Sequence, residues 1–332
     1  MSTKVAIAPT GTTEIASSKA LQKNFSRAAA PYLMYGVFVA LIVFFSLQSP
    51  VFFTASNFLN IGQQTALVTI IAVGMTFVII SGEIDLSVGA SLALSGVAAA
   101  LAMESTGGNL LVGVVVGLSV GALIGLVNGL ITTGLGIPSF LVTLATLGIA
   151  RGLALMISQG QPVLIANSDY WNLFNSARVF GIPVPMLWTV FVLLIGVYLL
   201  HVSAYGRRVY AVGGNRKAAL YSGIMVNRVK IWAFVLTGAA AGFAGLIWTA
   251  RAQAARPDTG NGMELDVIAA VILGGTNLFG GKGMILGTLV GSLIIGVINN
   301  GLTLMGVSSS AQMIVKGAII IVAVALSTLR RR

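Results

Sequence analysis

The 332-residue chain has no cysteine and a single histidine, His201. These absences exclude a disulfide framework, an iron–sulfur cluster, a thiolate metal site and a histidine cluster, so no metal site is expected. Charge is scarce too: charged residues make up 8% of the chain, against roughly 25% in a typical soluble domain. Hydrophobic residues make up 57%, and the mean hydropathy is +0.97. A chain so poor in charge is an integral membrane protein. Its length then measures spans rather than soluble domains: about 20 residues per spanning helix allows about eight to eleven of them.

What is there is apolar sequence broken by glycine, 41 residues in all. Apolar runs fall at about 32–47, 65–81, 86–103, 110–131, 140–157, 186–200, 231–250, 265–279, 284–306 and 313–329. They predict an all-α polytopic membrane protein with about ten transmembrane helices. Stretches such as "GVVVGLSVGALIG" suit helices that approach closely through small-residue faces. The first 30 residues are small and polar, with Lys4, Lys19, Lys23 and Arg27 against Glu14. No Ala-x-Ala-like site follows the first run, so residues 1–31 read as a cytoplasmic tail and not a cleaved signal peptide. The transmembrane domain is expected over 32–329, with a short C-terminus at 330–332.

Alternate loops carry charge unequally. With the N-terminus inside, the inside segments hold fourteen lysines and arginines: the four of the tail, six in 201–230, Lys282 and the last three residues. The outside segments hold three, Arg178, Arg251 and Arg256. This positive-inside bias predicts both termini in the cytoplasm, and it explains most of the +11 net charge without nucleic acid.

In "SGEIDLSVGA", residues 81–90, Glu83 and Asp85 stand between two apolar runs. A carboxylate at the bilayer centre costs about 2.5–3.5 kcal/mol, so these acids belong at a water-filled or headgroup level, or in a pair. Gly82 and Gly89 on either side fit an interrupted helix. Asp85 and Ser87 fit caps that accept free backbone N–H groups where a new helix starts. A proton or sodium relay is the competing reading, and nothing else in the sequence supplies a chain of buried ionisable groups for it. Arg151 and Lys316 fall within predicted spans and are expected to snorkel or to pair with an acid.

The segment "GGTNLFGGKG", 274–283, is not a phosphate loop. Thr276 stands where the first glycine of G-x-x-x-x-G-K-[ST] belongs, and Gly283 replaces the magnesium-binding hydroxyl. The chain is therefore not an ATPase, and the glycines read as a turn between spans. Two segments echo each other: "GEIDLSVGASL" resembles "GMELDVIAAVIL" at 262–273, and "VVVGLSVGALIGLVNGL" resembles "LGTLVGSLIIGVINNGL" at 286–302. With Asp85 inside and Asp266 outside, the related segments would run in opposite directions, as inverted repeats do. Asn128, Asn299 and Asn300 occupy matching positions in the echo. They would either line a translocation path or hydrogen-bond helix to helix. The loop at about 204–230, with "KAALYSGI", reads as a short surface helix turning at Gly223.

Four ordered motifs carry a resemblance: "SGEIDLSVGAS", "GLVNGLITTGLGIPSFLVTLATLGIARGLAL", "YGRRVYAVGGNRKAALYSGIMVNRVKIWAFVLTG" and "DVIAAVILGGTNLFGGKG". From about residue 35 onward the chain resembles the permease subunit of ribose-type ATP-binding-cassette sugar importers. The resemblance implies a type II importer fold of ten spans in the bacterial inner membrane. It also implies two permease copies around a central path, ATPase subunits beneath and a periplasmic sugar-binding protein above. ATP and magnesium would then act at the ATPase subunits, with no cofactor on this chain. The resemblance places Asn215, Arg216, Ala218, Ala219 and Gly223 in a coupling helix that docks into the ATPase. It carries no role to Glu83, where the family usually has glycine before the I-D-L-S core. The expected function is import of a monosaccharide, a pentose such as ribose. An ion-coupled secondary transporter using Glu83, Asp85 and Asp266, and a passive channel, are the rival classes.

Overall fold

The computed structural model describes residues 34–329. The expected tail, 1–31, and the C-terminus, 330–332, lie outside the described residues. The helices are α1 (Met34–Gln48), α2 (Ala55–Ile80), α3 (Val88–Ser105), α4 (Leu110–Gly134), α5 (Ser139–Ile157), α6 (Ser168–Trp171), α7 (Val184–Val197), α8 (Ala204–Gly214), α9 (Arg216–Tyr221), α10 (Val226–Ala252), α11 (Met263–Leu273), α12 (Ile285–Leu304) and α13 (Ser309–Leu329). Polar side chains cap several of them by accepting first-turn N–H groups: Thr54 for α2, Asn109 for α4, Ser203 for α8 and Asn215 for α9.

Among the described residues, seven helices are long and apolar enough to cross a bilayer: α2, α3, α4, α5, α7 with its π-helical continuation to Val202, α10 and α12. α1 is shorter. The eighth apolar run, expected as a full span over 265–279, departs from that expectation. Its helix, α11, has 11 residues, so it is about 16 Å long, roughly half of a hydrocarbon core. The reason is Gly275, whose φ of +87° ends the helix. The Gly275 N–H bonds the Ile272 carbonyl and the Thr276 N–H bonds that of Val271, the reverse-turn pattern that satisfies a helix's last carbonyls.

α10, about 40 Å long, separates two ends of the molecule. At its start lie α8 and α9. At its finish lies β4 (Ala254–Ala255), paired antiparallel with β1 (Val163–Leu164). A hairpin of β2 (Arg178–Val179) and β3 (Ile182–Pro183) precedes α7. α2 and α10 form the centre, meeting where Gly74 touches the Thr237 backbone. α4 packs on α10 and α3, while α12 packs on α2 and α11. α3 also touches α10 and α5, and α11 touches α2 and α13. α2 is buried along most of its length, whereas α4 and α5 leave most of their apolar surface exposed.

Candidate functional site

The break between α2 and α3 is built residue by residue. Gly82, at φ +83°, closes α2: its N–H bonds the Ile79 carbonyl, and the Glu83 N–H bonds that of Val78. Residues 83–87 then run without helix, and their backbone groups find side chains on α5. The Ile84 N–H donates to Ser139 Oγ (3.1 Å), and the Leu86 N–H donates to Thr143 Oγ1 (3.0 Å). Non-helical backbone among membrane helices survives only with such partners. Their spacing on one face of α5 is visible in sequence, but their target is not.

Asp85 is buried, and its Oδ1 accepts from the Ser87 N–H (2.9 Å) and the Ser87 hydroxyl (2.6 Å). Ser87 stands at the N-cap position of α3 yet makes no side-chain cap bond. Its hydroxyl serves Asp85 and accepts from Asn128 Nδ2 (2.9 Å), and the Asn128 carbonyl accepts from Thr146 Oγ1 (2.7 Å). Asp85 thus accepts a backbone N–H as expected, whereas Ser87 does not cap α3, and the hydrogen bonds of both join the break to α4 and α5. Glu83 forms an ion pair with Lys230 near the start of α10, a partner that nothing in the sequence pairs with it. Both line a cleft of about 180 Å³ together with Thr132 and Arg216.

The second echoing segment starts α11, and it meets the first at one point. Gly89, in the first turn of α3, lies against the backbone of Gly260, just before α11, and neither position leaves room for a Cβ. The stretch before α11 is tied down by Arg151, whose guanidinium donates to the Pro257 and Thr259 carbonyls. Arg256 grips Asp258 through two hydrogen bonds, 3.2 and 3.0 Å, and holds its carboxyl below the usual carboxylate range. Asp266 pairs with Lys316 of α13 at 2.8 Å, the acid partner expected for Lys316, whereas Arg151 finds backbone carbonyls in place of an acid.

The basic loop folds into α8 and α9. Asn215 ends the first and caps the second, accepting the Ala218 N–H (3.1 Å). Gly223, at φ +78°, reverses the chain after α9. Arg216, Ala218, Leu220 and Tyr221 are exposed, Tyr221 at 88%. Ala219 is not: it is 3% exposed and belongs to the apolar core. The two neighbours differ because Ala218 and Ala219 lie about 100° apart around α9, so of the two only Ala218 faces outward. Gly213 and Gly281 let this loop and the 274–284 turn touch, and the Gly281 N–H bonds the Ile80 carbonyl at the end of α2 (2.9 Å).

The three asparagines separate. Asn128 is engaged as described, and Asn300 exchanges two 3.0 Å hydrogen bonds with Asn57 of α2. Asn299 instead borders a cavity at the far end, and its Oδ1 is buried with no hydrogen-bond partner.

Residues 57–324 match the family model described as "Branched-chain amino acid transport system / permease component". The chain is 48% identical over 297 residues to the ribose import permease protein RbsC of Bacillus subtilis (strain 168), covering 89% of this chain and 91% of that one. It is 45% identical over 289 residues to the protein of that name from Escherichia coli (strain K12), covering 86% and 90%. To the D-allose transport system permease protein AlsC of Escherichia coli (strain K12) it is 40% identical over 322 residues, 96% and 98% of the two chains. No solved structure matches.

Proposed function

Because the chain belongs to this family of transport-system permease components, we propose that it is the membrane subunit of an ATP-driven importer that passes a monosaccharide, a pentose such as ribose. It is a transport component and not itself an ATPase. The proposal includes a cassette ATPase subunit on the face of α8 and α9 and a sugar-binding protein on the opposite face. ATP and magnesium act at the ATPase. The observation that carries the reading is α9: a short helix fixed at both ends by Asn215 and Gly223, presenting Arg216, Ala218, Leu220 and Tyr221 outward. An exposed tyrosine and arginine on a basic helix are anchors for a partner.

The ten-span type II fold and the inverted repeat belong to the same proposal. Exchanging α2 with α10, α3 with α11, α4 with α12 and α5 with α13 turns the main packing partners into one another, which supports the repeat. The basic residues of α8 and α9 support a cytoplasmic position for that end and, with it, for both termini. The exposed apolar faces of α4 and α5 support a second permease copy. In transport, ATP-driven closure of the ATPase pair moves α9, and the linked ends of α2, α8 and the 274–284 turn carry the movement into the helices. An ion-coupled carrier is not favoured, since Glu83 and Asp266 are each held by a lysine and Asp85 by Ser87.

The test is the complex of permease, ATPase and binding protein in nanodiscs. Sugar-loaded binding protein should stimulate ATP hydrolysis, and Ala218→Glu should cut that stimulation about tenfold, a loss of about 1.4 kcal/mol of coupling. Wild-type stimulation by both Ala218→Glu and Tyr221→Ala would remove α9 as the docking element.

A further inference from the structure

Away from α9, the middle of α2, the finish of α10, the start of α11 and the second half of α12 line an open cavity of about 610 Å³. This lies within the range of about 300–1,000 Å³ usual for small-ligand sites. Leu67, Val68 and Met263 make part of the wall apolar. The polar part is made by Gln64, Arg251, Asn261, Asp266 and Asn299. Trp248 adds an indole that takes part in no ring pair and no hydrogen bond among the described residues.

The groups are not spent on one another. Asn299 Oδ1 is buried without a partner, although its neighbour Asn300 is fully engaged with Asn57. Asn299 lines the cavity, and its amide can turn about its last side-chain bond to bring this unpaired oxygen, now sealed from solvent, to an occupant. Arg251 has no ion pair among the described residues, and Asp266 has given only Oδ2 to Lys316. An aromatic face beside amide, guanidinium and carboxylate groups fits a neutral polyol: the ring covers apolar C–H bonds while the polar groups satisfy hydroxyls. A metal ion would find one carboxylate here, and an anion would meet it as well as the arginine.

We infer that this cavity is a low-affinity monosaccharide site on the permease itself, with Trp248 as platform and Asn299, Arg251, Asn261 and Asp266 as hydroxyl partners. The inference rests on the importer reading and deepens it. Sugar leaving the binding protein would pause here, beside the Gly89–Gly260 junction where α3 and α11 begin, before the helices move.

The native chain has no cysteine, so Ala252→Cys, an exposed position on the cavity wall, gives a single reporter. In the complete transporter in nanodiscs, millimolar ribose should slow maleimide labelling of Ala252→Cys about threefold or more, as occupancy of about two thirds or more requires. Adding Trp248→Leu should abolish the protection, while Trp232→Leu, on an exposed part of α10, should leave it intact. Trp248→Leu should also lower transport at limiting sugar about tenfold while binding-protein-stimulated ATP hydrolysis persists. Absence of protection in a complex whose ATPase still responds to loaded binding protein overturns the site and leaves the importer reading standing. Equal slowing by an equiosmolar betaine also overturns it. Ribose protection without any stimulated ATPase would keep the site and overturn the importer.

Discussion

Two helix seams in this molecule, corresponding in the proposed repeat, are held by different physics. Between α4 and α10 the contact is backbone on backbone. Along the buried glycine stripe of α4, Gly121, Gly125 and Gly129 lie against the α10 backbone at Gly238, Phe234 and Ile231, and a Cβ on Gly125 would run into the Phe234 carbonyl. Between α2 and α12 the contact is made by side-chain polar groups: Asn57 with Asn300, Thr69 with Ser292 (2.7 Å) and Thr76 with Thr288 (2.8 Å). In lipid, apolar surface gives helices no preference for each other over acyl chains, so association rests on close packing or on hydrogen bonds. One seam uses the first and the other the second. The glycine seam tolerates no added volume, whereas the hydroxyl seam keeps its spacing if single bonds are lost.

The largest expected effect follows at the glycine seam. Gly125→Leu must part α4 from α10 by several ångströms, and overpacking of this kind costs about 3 kcal/mol or more. Loss of the folded protein in detergent, read by thermal unfolding, is the expected result. Gly148→Leu, on an exposed face of α5 with open space around it, should be close to neutral. Equal behaviour of the two variants would mean that the α4–α10 distance is adjustable and the comparison is wrong.

An intermediate effect is expected at Asn300. Asn300→Leu leaves Asn57 without its amide partner in a buried place, at a cost of about 1–3 kcal/mol. Asn57→Leu together with Asn300→Leu removes both polar groups and should destabilise by less than the sum of the single changes. Strict additivity of the melting shifts would show that the two amides do not act as a pair.

The difference between the seams also marks how far the sequence could be read. Apolar runs located the helices, because period and hydropathy are local properties. The turns at Gly82 and Gly223 were legible for the same reason, since each follows directly from a helix ending in a left-handed glycine. Partners across space were not legible. The i, i+4 glycines of α4 announce a close approach without naming α10, and Glu83 announces a need for charge without naming Lys230. Ala219 looked equivalent to Ala218 until the rotation of α9 was known. The eighth run looked like a full span because hydropathy does not register that Gly275 stops a helix. Of the candidate site, the basic loop and the broken-helix motif could be found in the sequence, but the cavity beside Trp248 and Asn299 could not, because four separate helices contribute to it.

The smallest effect should appear at Thr69. Thr69→Val preserves the branched shape and removes one hydroxyl from the α2–α12 seam. That hydroxyl also bonds the Thr65 carbonyl of its own helix at 2.9 Å, and Ser292 Oγ keeps its own bond to the Leu289 carbonyl at 2.8 Å. Neither group is left stranded by the change. The net loss should therefore be about 0.6 kcal/mol, the average for a hydrogen bond between membrane helices, and the melting temperature should move by only a few degrees. A loss above about 2 kcal/mol, measured by unfolding in the same detergent as Gly125→Leu, would mean that the hydroxyls are coupled along the seam. The two seams would then differ in chemistry and not in tolerance, since a ladder that fails when one rung is removed is as unforgiving as glycine against backbone.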